Sequence, residues 1–104
     1  MKSILQNDRY CYLSGRSGPL EKHHVLNGPC RDFAEENGLW IYITPEWHRK
    51  LHGTGDGVQI QKRLKTIAQL TYERNMLIEA LEAEDAYEKV RGVWMQKVRR
   101  NYDG

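Results

Sequence analysis

The 104-residue chain changes texture at Gly53-Thr54-Gly55-Asp56-Gly57. Before this point Gly and Pro punctuate short segments; beyond it no glycine occurs from Val58 to Arg91. Short elements followed by long helical stretches constrain the fold more than any other feature, and they predict an α+β protein. One compact domain fits this length, with roughly two thirds of the unfolded chain's surface buried on folding. Residues 1–56 would form a hairpin-and-helix core and residues 57–104 a helical extension of the same domain, 1–104.

In the first half, turn chemistry at Ser14-Gly15, Ser17-Gly18-Pro19 and Asn27-Gly28-Pro29 brackets one extended segment, Leu20 to Leu26. "RDFAEENG" reads as a helical turn or two closed by Gly38. "LWIYIT", rich in aromatic and β-branched residues, reads as a second strand. Thr44 then caps a helix starting at Pro45, with Glu46 in its first turn. Beyond the glycines, Ile60, Leu64, Ile67, Ala68 and Thr71 recur at helical spacing, as do Tyr87, Val90, Trp94 and Val98. Two long helices, or one bent near Asn75, should turn these stripes toward the core.

Net charge is only +2, so whole-chain electrostatics neither demand nor exclude an anionic partner. Lys2 precedes only two apolar residues, short of a signal peptide, and no apolar run approaches a membrane span. The expectation is a soluble, intracellular protein without a membrane partner. There, Cys11 and Cys30 should be buried, free or metal-bound thiols rather than a disulfide.

All four histidines fall at 23, 24, 48 and 52. His48 and His52, in "HRKLH", stand one turn apart on the expected helix and share a face, a good clamp for a divalent ion. A hairpin folding onto that helix would bring "EKHH" over its first turns. One strand imidazole and two helix imidazoles would leave coordination positions open, the mark of a catalytic rather than a structural metal. Adjacent strand residues face opposite ways. The other strand histidine can therefore sit beside the ion and take a proton from a water aligned with a bound phosphate.

The pattern "ExHH", a variable loop, a strand and a helix bearing "HxxxH" resembles the HNH endonuclease superfamily with its ββα-metal fold, particularly the colicin-type motif. "CYLSGRSGPLEKHHV", "GLWIYITPEWH" and "WMQKVRRNY" are similar to small HNH-like proteins encoded by phages and prophages. The motif covers about residues 20–52. This resemblance implies that His23 is the first metal ligand, His24 the general base, and His48 and His52 the helix ligands. Glu21 takes the acidic position that orients a neighbouring basic side chain or the hydrogen bonds of the site. One divalent ion, zinc, nickel, manganese or magnesium, would bind the scissile phosphate of DNA, and three imidazoles suit the transition ions better. Leu39 departs from the family, standing where its middle Asn would be, so the loop-bracing role is either absent or falls to Asn37 or Asn27. Cys11 is followed by Ser14 where relatives often carry "CxxC", so Cys11 is expected as a small buried residue.

Phosphate contacts would come from Arg9, Arg16, Arg31, Arg49 and Lys50. Arg49 and Lys50 lie on different flanks of the helix, so at most one should reach DNA. From Lys89 to Arg100 the chain carries five basic side chains and no acid, among them Lys97, Arg99 and Arg100. This run either tracks a phosphodiester backbone or is a solvated helix face. Two other functions compete. A non-catalytic, zinc-stabilised DNA-binding or adaptor module would use Cys11, Cys30, His48 and His52, but those cysteines are far apart and "EKHH" is left unexplained. A hydrolase of a small phosphoester or amide would want an enclosed pocket. "GTGDG" lacks the Lys-Ser or Lys-Thr of a phosphate loop and reads as a flexible turn.

Overall fold

In the computed structural model, residues 1–53, 55–79 and 86–102 are described, with the side chains of 86–89 outside that description. Two antiparallel strands, β1 (Glu21–His24) and β2 (Trp40–Ile43), pair His23 with Ile41 and His24 with Trp40. Between them a 3-10 turn (Gly28–Cys30) leads into α1 (Arg31–Glu36). After β2 come α2 (Pro45–Gly53), α3 (Gly55–Glu79) and α4 (Ala86–Val98). The architecture is α+β, as the change of texture predicts.

β1 is shorter than the expected Leu20–Leu26 segment. The pairing with β2 ends at His24, and Val25 and Leu26, which follow it, are both buried in the core. α1 ends as expected: Gly38 has φ 69°, and the Leu39 amide donates to the Ala34 carbonyl at 2.8 Å, closing the helix end. A side chain at position 38 would also strike the Lys2 carbonyl at 2.3 Å. The N-terminal segment thus lies against this loop and along the outer edge of β2. There the Gln6 side-chain carbonyl accepts from the Tyr42 amide at 2.5 Å, and the Tyr12 amide donates to the Tyr42 carbonyl at 2.8 Å. A two-stranded sheet otherwise exposes a row of unpaired backbone groups, and these contacts close that edge.

The core gathers Val25, Leu26, Leu39, Ile41 and Ile43 of the hairpin with Leu51 of α2, Leu64, Ala68 and Tyr72 of α3, and Trp94 of α4. Three expectations are corrected or decided here. "GTGDG" is not merely a flexible turn: Gly53 ends α2, while Gly55 to Gly57 form the first turn of α3. A Cβ on Gly57 would lie 2.4 Å from the Lys50 carbonyl oxygen, so this glycine lets α3 press on the α2 backbone. Of the two helical alternatives, the bend near Asn75 is not the one taken: α3 continues through it to Glu79 and α4 follows as a second helix. Finally, Ile67 is exposed and Thr71 only half-buried, because the inward face runs Leu64, Ala68, Tyr72 and carries Gln69 and Glu73 beside it. Val90, Trp94 and Val98 are buried as expected, and Tyr87 lies outside the described side chains.

Gln69 and Glu73 are buried because they clasp α4. Arg91 Nε lies 2.8 Å from both Glu73 carboxylate oxygens, and Gln69 Nε2 donates to Glu73 Oε1 at 2.7 Å. Phe33, Tyr72 and Trp94 form an aromatic cluster that ties α1 to both long helices, with ring centroids 5.4–6.2 Å apart. Together they hold α1, and the cleft beside it, against the helical half. No helix among the described residues is long and apolar enough to cross a membrane.

Candidate metal centre

Thr44 starts α2 as its sequence suggests. Its hydroxyl accepts from the Trp47 amide at 3.3 Å, and its carbonyl accepts from the His48 amide at 2.9 Å. This fixes where the helix begins relative to Ile43, and hence which face carries His48 and His52. Across from them, the pleat of β1 turns His23 inward. The three rings meet, with centroids 5.4 Å (His23–His48), 5.9 Å (His23–His52) and 5.2 Å (His48–His52) apart.

One nitrogen from each ring can be chosen so that the three lie within 4.8 Å of one another. A tetrahedral ion with bonds of about 2.0–2.1 Å separates its ligand nitrogens by roughly 3.4 Å. Small side-chain rotations therefore separate this trio from a coordinating set. Burial, and then the neighbouring His48 and His52, push the His23 imidazole down to a pKa of about 4. His23 is consequently neutral at pH 7, the state a metal ligand requires.

Glu21 meets one of these rings: its carboxylate lies 2.9 Å from His48 Nδ1. A carboxylate accepts from an imidazole N–H, and a proton held on Nδ1 in this way would leave Nε2 of His48 for an ion. His24 points to the other face of β1, where its Nε2 lies 2.6 Å from Glu35 Oε2 of α1. It nonetheless lines the same open cleft, of about 270 Å³, together with Lys22, His23, Asn27, Arg31, His48 and His52.

The basic candidates separate. Arg31 lines the cleft, and Arg49 flanks His48 and His52 beside Glu21 on the neighbouring surface. Lys50 sits over the Trp47 ring, 4.7 Å from its centre, in a groove shared with Arg16. Arg9 lies over the Tyr42 ring at 5.2 Å, outside the cleft lining. Lys97, Arg99 and Arg100 are exposed at the end of α4, whose last carbonyls lie 3.7 and 3.9 Å from Cys30 Sγ, next to Arg31.

The alternative Cys11, Cys30, His48 and His52 set is not assembled. Among the described residues the only grouping of three or more potential ligands is His23, His48 and His52. Cys11 is fully buried and accepts from the Ser14 amide at 3.4 Å, while Cys30 packs on α4. Leu39 is fully buried in the core. Asn37 braces the loop locally by donating to the Phe33 carbonyl at 2.9 Å, and the Asn27 carbonyl accepts from the Cys30 amide at 3.2 Å.

Sequence reasoning did not single out Glu35, Lys22 or Lys65. Lys22 sits two residues before His24 on β1 and also bonds Glu35, while Lys65 of α3 is near enough to His23 to help depress its basicity. The i, i+2 spacing of Lys22 and His24 was the available signal for a shared face.

No family model, no curated protein and no solved structure matches this chain.

Proposed function

We propose that this chain is a metal-dependent endonuclease of the HNH type, its hairpin and α2 forming a ββα-metal core that hydrolyses DNA phosphodiester bonds. The observation that carries this reading is the presence of a fourth imidazole, His24, in the cleft where His23, His48 and His52 converge. Three neutral nitrogen donors fit a divalent transition ion. When bound, such an ion would supply the positive charge that offsets the negative charge developing on the phosphate and the leaving oxygen.

The remaining steps belong to the chain. Arg31 and Lys22 border the cleft and provide positive charge for the phosphodiester backbone. His24 removes a proton from the attacking water, a role open to it because its ring is not needed among the converging ligands. The cleft is open rather than enclosed, which suits a polymer threading past better than a small ester held inside.

Plasmid nicking with a panel of zinc, nickel, manganese and magnesium, with and without EDTA, tests the reading. Cleavage should require an ion and stop with chelator. His24→Ala should bind the ion like the parent and lose two to four orders of magnitude in rate, the usual range for removing a general base. His23→Ala should lose both. Parental cleavage by metal-loaded His24→Ala would reject the assignment.

A further inference from the structure

Glu35 occupies a position that the chemistry above leaves unexplained. It lies on α1, half-exposed, with both carboxylate oxygens engaged: Oε1 is 2.7 Å from Lys22 Nζ and Oε2 is 2.6 Å from His24 Nε2. Lys22 and His24 share one face of β1 because they are two residues apart. The ammonium of Lys22 is itself held 4.2 Å from the centre of the Trp40 ring, on the paired strand. The carboxylate is thus held at Oε1 by a side chain of the paired strands, and its second oxygen, Oε2, meets one nitrogen of His24. The hydrogen bonds to Lys22 and then to His24 hold the Glu35 carboxyl down to a pKa of about 2, so it is ionised at neutral pH.

An ionised carboxylate has no proton to donate. A neutral His24 can form the observed contact only as the tautomer carrying its hydrogen on Nε2. We propose that Glu35 is a positioning residue that fixes His24 in this tautomer, making Nδ1 the atom that accepts the proton of the attacking water. The chemical consequence rests on the nuclease reading; the tautomer does not. In the reaction an O–H bond of water breaks, its proton passes to Nδ1, and the water's electron pair forms the new P–O bond as the leaving oxygen departs with the pair of the old one. The resulting imidazolium has its Nε2–H already directed at Glu35, which stabilises the charge without itself taking the proton.

Two measurements test this on the full chain. Nitrogen NMR of metal-free, histidine-labelled protein at pH 7 should show His24 protonated at Nε2 in the parent. In Glu35→Gln, whose amide can donate as well as accept, it should show a mixture of tautomers. In cleavage, Glu35→Gln should lower kcat on the order of 10–100-fold, the range for removing a partner that orients an imidazole. KM and metal affinity should hold, and no further loss should follow in a His24→Ala background, because the two act as one unit. A parent His24 protonated on Nδ1 would overturn the proposal, as would an equal loss from Glu35→Gln whether or not His24 is present. A parent that cleaves no DNA with any ion of the panel sinks the nuclease reading and not the hold of Glu35 on the tautomer, which the spectrum decides alone.

Discussion

Each histidine in the cleft is paired or packed differently, and the differences assign the work. His48 has Glu21 behind it, His24 has Glu35, and His23 has burial. Because Glu21 fixes the ring nitrogen that His48 presents, Glu21→Gln should weaken zinc affinity about 10–100-fold while leaving the fold intact. Titration calorimetry reads this directly, and unchanged affinity would make Glu21 a surface acid with no hold on the site. Cys11→Ser should leave the affinity alone, since that thiol lies in the core away from the imidazoles. The three converging histidines were legible in the sequence because i, i+4 spacing on a helix and a preceding strand leave few ways to arrange them. Glu35 was not. It lies 11 residues from His24, and an acid in "AEEN" looks like any solvated helix position until α1 is packed beside β1.

At the start of α3 the backbone packs directly on α2. Gly57→Ala would drive a methyl group into the Lys50 and Leu51 carbonyls, at 2.4 and 2.6 Å. Backbone cannot give way there as a side chain could, so a loss of about 1–3 kcal/mol is expected from overpacking. Gly55→Ala, two residues earlier and facing open space, should instead gain about 0.4–1 kcal/mol by restricting the unfolded chain. Urea denaturation of the pair distinguishes a close crossing from a loose linker, which would treat both alike. The sequence marked this boundary correctly but suggested a flexible turn, because three glycines in five residues have the same composition in either role. It likewise set the phase of α3 by its apolar residues. The actual face turns toward Gln69 and Glu73, whose burial makes sense only once Arg91 of α4 lies opposite. Tyr72, on that same face, has its phenol pushed up by burial. The unfolded chain therefore loses this proton first as pH rises through about 10, and folding stability falls above that value. Thermal melts of Tyr72→Phe should show a flatter alkaline decline than those of the parent; an identical decline would assign it to other groups.

At the scale of the whole molecule, two groups of basic side chains differ in where they stand relative to the imidazoles. Lys22 and Arg31 line the cleft itself, whereas Lys97, Arg99 and Arg100 lie at the end of α4, which touches Cys30, the chain neighbour of Arg31. The second group is held in place and is not a frayed tail. Trp94 Nε1 of α4 donates to the Arg100 carbonyl at 2.8 Å, and Thr66 Oγ1 of α3 donates to the Tyr102 carbonyl at 2.9 Å, tying the segment after α4 to both long helices. Arg99 stands in left-handed backbone, φ 62°, where glycine would be the unstrained choice. This permits a substitution that removes charge without unfolding the segment. In Lys97→Gln, Arg99→Gly and Arg100→Gln combined, relief of the left-handed strain roughly offsets the entropy that glycine adds to the unfolded chain, so stability should stay within about 1 kcal/mol of the parent. If these side chains track a phosphodiester backbone, DNA affinity should fall and the slope of log affinity against log salt should lose about 0.9 for each contact removed. Cleavage at low salt should persist, because His24 and the three converging imidazoles are untouched. Arg31→Gln, by contrast, removes charge from the cleft and should reduce both affinity and cleavage. Fluorescence anisotropy with a duplex at several salt concentrations makes the comparison, and an unchanged slope in the triple variant would return the end of α4 to a solvated face.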